Sequence, residues 1–309
     1  MVEPTRPVAP QPLNLAAEEN TAAMTPQELT GDDLAAADAV GALLAGHGPL
    51  GVAYSGGVDS ATLLALAVRT LGADQVVALL GISPSLAAAE RQGAHQTAAV
   101  IGARVVEIRT HEGERPEYVA NDVDRCYFCK DELFTRIDED LMDDLGLAAV
   151  AFGENADDAI RPDRPGARAA SEHRVLRPLA QAGLSKQRVR SVARALHLPC
   201  ADKPAAPCLA SRIPHGQEVT PQKLRQVEAM EEAVRGQGFT DCRVRHHGEI
   251  ARIELPVAEI PRAVEPSVRE ALHRAATEAG FRFATVDLKG MQSGAFTLTL
   301  LDQRGIPRA

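Results

Sequence analysis

A short apolar run, Leu50 to Tyr54, leads directly into Ser55-Gly56-Gly57-Val58-Asp59-Ser60, and leucines at 63, 64, 66 and 71 then recur at helical spacing. A buried strand, a glycine turn and a helix in that order constrain the fold more than anything else in the chain. Gly56 and Gly57 can take backbone angles that other residues resist, which turns several N–H groups toward one anion. The helix that follows adds its dipole and its free N-terminal amides. Ser55 and Ser60 offer hydroxyl donors, and Asp59 offers a carboxylate able to help hold Mg²⁺. No lysine follows the glycines, so the turn is not the phosphate loop that ends Gly-Lys-Ser/Thr. An ordinary strand-to-helix turn is the plain alternative. It has no need of two glycines framed by two serines and an aspartate.

The surrounding text alternates in the same way. Residues 1–30, rich in Pro, Ala, Glu and Thr, read as a disordered tail. A helix is expected from Asp32 to the Gly46-His47-Gly48-Pro49 break. Further buried strands are expected at Val76–Leu80, Val105–Ile108 and Leu147–Phe152, with an Ala-rich helix over Leu86–Ile101 between the first two. Strands alternating with helices predict an α/β fold, a parallel sheet covered on both faces. The pattern changes after about residue 215. Helices over Pro221–Gly236 and Ser267–Gly280, with strands at Arg243–Arg245, Ile250–Leu255 and Ala284–Leu288, predict a smaller C-terminal α+β domain. The expected division is therefore a tail at 1–30, a nucleotide domain at 31–215 and an α+β domain at 216–309, with the boundary near Gly216 and no internal repeat.

With 309 residues the chain can bury a full core, and its formal charge of −9 weighs against a broad nucleic-acid surface. No run approaches the roughly 20 apolar residues a bilayer span requires, and no leader pattern opens the chain. A cytoplasmic protein is expected, with its thiols reduced.

Of five cysteines, three sit in marked contexts: Cys126 and Cys129 in Arg-Cys-Tyr-Phe-Cys-Lys, and Cys208 in Lys203-Pro-Ala-Ala-Pro-Cys-Leu-Ala-Ser-Arg212. A Cys-x-x-Cys pair converges on one metal or forms a redox couple. Together with Cys208 it makes three thiolates, one short of a closed zinc site. Three thiolates suit an iron–sulfur cluster with one open iron. Residue chemistry leaves cluster, zinc with a histidine, and free thiols open. Cys200 and Cys242 read as small buried residues.

The Ser55–Ser60 turn resembles that of the PP-loop ATP pyrophosphatases, Rossmann-like proteins that cleave ATP to AMP and pyrophosphate. A longer resemblance covers roughly residues 51–296. Ser83-Pro84-Ser85, the Cys126–Cys129 segment, Gly153-Glu-Asn-Ala-Asp-Asp158, Arg164-Pro-Gly166, Arg177-Pro178-Leu179 and the Lys203–Arg212 segment look like the LarE family. That family comprises ATP-dependent sulfur transferases that build the pincer ligand of a nickel cofactor of lactate racemase. Two departures are Glu154, where a threonine is expected, and Met291, in a segment where a tyrosine is usual.

The resemblance implies a substrate, pyridinium-3,5-biscarboxylic acid mononucleotide, whose carboxylates are adenylated and then converted to thiocarboxylates. It places ATP on Ser55, Gly56, Gly57, Asp59, Ser60 and Ser83, with Mg²⁺. It places the substrate phosphate on Ser211, Arg212, Arg243 and Arg245. Cys208 becomes the central residue, either giving up its own sulfur or joining Cys126 and Cys129 around a 4Fe-4S cluster that presents an extra sulfide. Other implied partners are copies of the same chain, as hexamers built from dimers, and further proteins of pincer-cofactor synthesis.

Arg243 and Arg245 can also be read as strand residues facing solvent. Glu254 and Glu231 can handle protons or bind metal, though surface glutamates are commonly just solvated; Glu254 is taken here as the catalytic candidate. Asp157 and Asp158 follow a strand end, where sites of open α/β sheets collect. The arginine-rich stretch from Arg161 to Arg194 reads either as a passage for anions or as a solvated face. None of the nine histidines forms a ligand pair at helical spacing, and His246 and His247 point to opposite faces. A tRNA-thiolating enzyme is the main competitor, and it should show a basic stripe or an RNA-binding module. A non-catalytic regulator would tolerate loss of Ser55, Asp59 or Cys208, and all three are intact.

Overall fold

Leu29 is already part of the core, only 4 % exposed, so the globular region begins inside the segment expected as tail. The structure, a computed structural model, describes residues 29–160 and 165–291. Arg161 to Arg164, the segment 1–28 and the end of the resemblance near Phe296 lie outside the described residues.

The first half is built as α1 (Gly31–Leu44), β1 (Leu50–Tyr54), α2 (Val58–Leu71), β2 (Val76–Ile82), α3 (Ala88–Ile101) and β3 (Arg104–Arg109). The short α4 (Pro116–Val119), then α5 (Arg125–Asp140), β4 (Ala149–Phe152) and α6 (Ala156–Ala159) follow. α7 (Pro165–Glu172), α8 (Pro178–Gln181) and α9 (Lys186–Ala195) complete this part. All four strands are parallel in the order β3-β2-β1-β4. All five residues of β1 are buried, as a central parallel strand requires. Leu50, Val52 and Tyr54 face one apolar cluster and Ala53 the other, so the sheet is covered on both sides. Because β4 returns on the other side of β1 from β2, a crevice opens at the carboxyl ends of β1 and β4, where such sheets bind ligands.

Most expected elements form within a residue or two of their expected limits. α5, α7 and α9 are the main exceptions, since no element was expected over 125–140 or between 153 and 215. In α5 the two fully buried aromatic and branched residues, Phe134 and Ile137, sit among eight acidic or basic ones, which hides the apolar stripe in the sequence. The helix puts Cys126 and Cys129 on its first turn, three residues apart and so on one face.

The second half comprises α10 (Pro221–Gly236), β5 (Arg243–His247), β6 (Ile250–Glu254), α11 (Ile260–Ala263), α12 (Pro266–Glu278) and β7 (Phe283–Val286). β5 and β6 pair antiparallel, and β7 adds to β6 in parallel. This is a smaller α+β unit with its own core of Met230, Val244, Ile253, Leu272 and Phe281. A fourth cluster joins Tyr118, Leu209 and Ile213 to Val219, Leu224 and Val227 across the region where the sequence pattern changes. Among the described residues, no helix is long and apolar enough to cross a membrane.

Candidate active site

At the end of β1 the chain turns through Gly56, whose φ of +73° is left-handed. A Cβ here would lie 2.7 Å from Ala94 Cβ and 2.8 Å from its Cα, so both the angle and the space demand glycine. Gly57 caps α2 with no side-chain bond, which leaves the first amides of that helix open to an anion. Ser60 ties the loop together: its Oγ donates to Gly57 O (3.1 Å), accepts from Ser55 N (3.2 Å) and lies 3.2 Å from Ser55 Oγ. Gly153, at the end of β4, packs so tightly on the start of α2 that a Cβ would lie 2.8 Å from Ser60 N. The two strand ends therefore meet at the phosphate loop. Asp59 Oδ2 accepts from Lys186 Nζ at 2.5 Å, while its Oδ1 is buried without a hydrogen-bond partner. A buried orphan carboxylate oxygen beside an open helix N-terminus suits a divalent cation carried by a phosphate chain.

Ser83 lies in the turn after β2, where its Oγ accepts from Ser85 N (3.2 Å). Ser85 carries this turn into the second part of the site. Its carbonyl accepts from Leu209 N (2.9 Å) and its hydroxyl bonds to the buried Tyr118 hydroxyl (2.5 Å). The loop holding Cys208 is thereby fixed at the same sheet edge as the phosphate loop.

Cys208 and Cys126 are exposed and Cys129 is partly buried. Cys126 and Cys208 both lie within electrostatic reach of Cys129. Burial pushes the Cys129 thiol well up; Glu112, Cys208 and Cys126 push it further, and Arg125 pulls it back. Among the described residues, no three His, Cys, Asp or Glu side chains form a ready ligand set for a single metal ion. The buried Arg125 guanidinium lies within electrostatic reach of both Cys208 and Cys126. Cys200 and Cys242 are buried away from this group.

Directly after Cys208, a 3₁₀ turn over Leu209–Arg212 delivers Ser211 and Arg212. Arg212 is buried and binds Glu231 through Nε (2.8 Å) and Nη2 (3.2 Å), and its Nη1 reaches Ser211 Oγ (3.0 Å) and Pro207 O (2.5 Å). Arg243 and Arg245 are 7 % and 3 % exposed, so they are not the solvent-facing strand residues that alternation allows. Arg245 donates to Ser211 O (3.0 Å) and to Glu254 Oε2 (2.8 Å), and Arg243 to Ala205 O (3.0 Å). Burial, then the neighbouring Arg212 and Arg245, lower the proton affinity of Arg243. Three guanidiniums crowded to that degree form a site that favours a polyanion.

The sequence brings other candidates here in different roles. Glu254, 1 % exposed, is clamped between Arg245 and Arg252. Glu231 fixes Arg212 and also accepts from Val244 N (3.0 Å). Asp157 accepts from Lys186 N (2.8 Å), and Asp158 bonds to Asn155, so both order the turns around the loop. Of the arginine-rich stretch, Arg177, Arg188 and Arg194 are paired with Glu154, Asp32 and Asp33, and Asp202, while Arg168 lies over the Tyr127 ring. Those contacts fasten the described part of the stretch to the fold. Burial lowers the proton affinity of both His246 and His247. Lys186, Asn121 and Arg125 were not expected at the site. Lys186 carries a local signal, a lysine following a Ser185 cap, but its contact with Asp59 spans 127 positions of chain.

Residues 34–140 match the asparagine synthase family. A Synechocystis protein of uncharacterized activity is 41 % identical over 81 % of this chain and 92 % of its own length. The pyridinium-3,5-bisthiocarboxylic acid mononucleotide synthase of Lactiplantibacillus plantarum is 35 % identical over 81 % of this chain and 89 % of its own. An uncharacterized Methanocaldococcus jannaschii protein is 26 % identical over 66 % of this chain. With a PP-loop sheet, a separate C-terminal unit and that degree of identity along most of its length, the chain belongs to the LarE family of ATP-dependent PP-loop enzymes.

Proposed function

We propose that this protein adenylates the carboxylates of pyridinium-3,5-biscarboxylic acid mononucleotide and replaces the adenylate with sulfur, giving thiocarboxylates. The observation that carries the reading is the joining of three units at one sheet edge: the phosphate loop, the cysteine loop hung from Ser85, and the arginine cluster that follows it. A carboxylate is a poor electrophile, so one of its oxygens first attacks the α-phosphorus of ATP. The bond to pyrophosphate breaks and pyrophosphate leaves. A sulfur nucleophile then adds to the acyl carbon and AMP departs with the carboxylate oxygen. The loop amides from Gly56 to Ser60 hold the phosphate chain, and Asp59 Oδ1 takes the accompanying Mg²⁺. Ser211, Arg243 and Arg245 hold the phosphate of the mononucleotide, with Arg212, Glu231 and Glu254 fixing their positions. A 4Fe-4S cluster on Cys126, Cys129 and Cys208 would supply an extra sulfide at its open iron. Cys208, whose carbonyl accepts from Arg212 Nη1 at 3.3 Å, places that sulfur source beside the arginine cluster.

Cys208→Ala is expected to abolish thiocarboxylate formation while substrate-dependent pyrophosphate release persists. Full sulfur transfer by that variant overturns the assignment. Anaerobic reconstitution with iron and sulfide is expected to give a brown protein whose intact mass is unchanged by turnover. A colourless protein that loses one H₂S on turnover shows instead that Cys208 gives up its own sulfur.

A further inference from the structure

Asn121 is fully buried, yet it holds a left-handed backbone with φ of +57°, a conformation few side-chain-bearing residues adopt. Its surroundings explain why it is kept there. The Nδ2 group donates to the carbonyls of Ile213 (3.2 Å), Pro214 (2.8 Å) and Gln217 (3.0 Å). Its own carbonyl accepts from Gly216 N (3.1 Å) and lies 3.2 Å from His215 Nδ1. A single residue between α4 and α5 thus gathers the backbone of 213–217, just beyond the cysteine loop.

The same side chain reaches the loop itself through Arg125. Asn121 Oδ1 accepts from Arg125 Nη1 at 2.5 Å, and that nitrogen also donates to Ala210 O at 3.0 Å. Ala210 lies in the 3₁₀ turn capped by Cys208, and Arg125 is the first residue of α5, immediately before Cys126. The helix carrying two thiols and the loop carrying the third are therefore bolted together through one buried guanidinium. Burial alone would weaken the charge on Arg125, but Cys208 and Cys126 reverse that and raise its proton affinity.

We propose that Asn121 and Arg125 are positioning residues that hold the Cys208 loop against the first turn of α5, so that its thiol can be drawn together with Cys126 and Cys129 when a soft metal or sulfide is loaded. The proposal rests on the three-thiol reading given above, and its test needs neither the organic substrate nor turnover. Asn121→Gly keeps the left-handed backbone without strain and removes only the amide bonds. Arg125→Lys keeps the charge and loses the simultaneous contact with Asn121 and Ala210. Cadmium(II) is the probe, titrated anaerobically into the full apoprotein and read by thiolate-to-cadmium charge-transfer absorption. Calorimetric titration with ATP shows that the phosphate loop remains folded.

The wild-type protein is expected to bind cadmium through all three thiols, with the band reduced in Cys208→Ala. Each positioning variant is expected to bind it about ten- to a hundredfold more weakly while retaining ATP binding, as loss of supporting contacts around a metal site generally does. Cadmium affinity equal to wild type in both variants overturns the proposal, even if they melt at lower temperature. If Asn121→Gly loses ATP binding, Arg125→Lys decides the matter alone. A wild-type protein that shows no cadmium band overturns the convergence of the thiols and the proposal with it. Failure of sulfur transfer with a normal cadmium response counts only against the proposed reaction.

Discussion

The five thiols divide by environment more sharply than by spacing. Burial, with Glu231 adding to it, pushes the Cys242 thiol up to about 12, and burial also raises Cys200. Cys126 and Cys208 are exposed. Since the thiolate is the reactive species, alkylation of the native apoprotein by iodoacetamide near pH 8 is expected to mark Cys126 and Cys208 first and to spare Cys200 and Cys242. Peptide mapping by mass spectrometry reads the order, and early labelling of Cys242 contradicts it. Glu231 supports a second prediction at the same scale. It binds Arg212 through two oxygens and accepts from Val244 N, with Arg235 at 3.5 Å. Glu231→Ala leaves the Arg212 charge buried without its partner, which generally costs about 3–5 kcal/mol. A urea midpoint unchanged by the substitution would show that the pair contributes nothing to stability.

Among the elements, α5 depends most on its attachment. Phe134 and Ile137 are buried, and the face carrying Phe134 is fastened to the end of α7 by His173. The imidazole lies 2.9 Å from both Asp131 and Asp138 and packs on the Phe134 ring. Burial opposes the charge on His173, but the two aspartates outweigh it and raise its proton affinity. Burial likewise opposes ionisation of Asp131, and His173 and Arg115 outweigh it and lower its value. A raised histidine contributes stability that is full below about 6.5 and is lost as pH rises through its folded value. A lowered aspartate contributes stability present above about 3.9 and lost as pH falls through its folded value. The clasp is thus strongest in mildly acidic solution and weakens toward alkaline pH. Thermal melts at about pH 5.5 and 8.5, chosen on either side of that histidine range, are expected to differ more in the wild-type protein than in His173→Gln. An identical difference in both removes His173 from the account.

Across the whole molecule, the two units share a core. Tyr118 and Leu209 from one side pack with Val219, Leu224 and Val227 from the other. Glu228 on α10 accepts from Ala88 N (2.7 Å) at the start of α3, and Asn121 binds the chain on the far side of Pro214. Parts joined in this way should unfold together, and one calorimetric transition with matching calorimetric and van't Hoff enthalpies is expected. Leu224→Ala, in the shared cluster, is expected to lower that single transition by about 2–5 kcal/mol of stability. Two separated transitions in the wild-type protein would show that the units fold independently.

The sequence by itself determined what is local. A run of five apolar residues, two glycines and an amphipathic segment dictate strand, anion-binding turn and helix, because period and backbone freedom are properties of neighbouring residues. The parallel sheet follows from the alternation, and the family follows from motifs whose residues lie close together. α5 escaped because its buried stripe is narrow and its charges dominate. What only the tertiary structure decided is what long-range contacts create. The solvent-facing alternative ended because Glu254 and the 3₁₀ turn hold Arg245, and the Ala205 carbonyl holds Arg243. Glu254 became a clamp for guanidiniums, and Lys186 and Asn121 joined the site across 127 and 92 positions of chain. No residue pattern announces such pairs, since each partner's neighbours in sequence say nothing of the element that packing brings against it. The phosphate loop was therefore legible from the first reading, and the convergence of its companions waited on the fold.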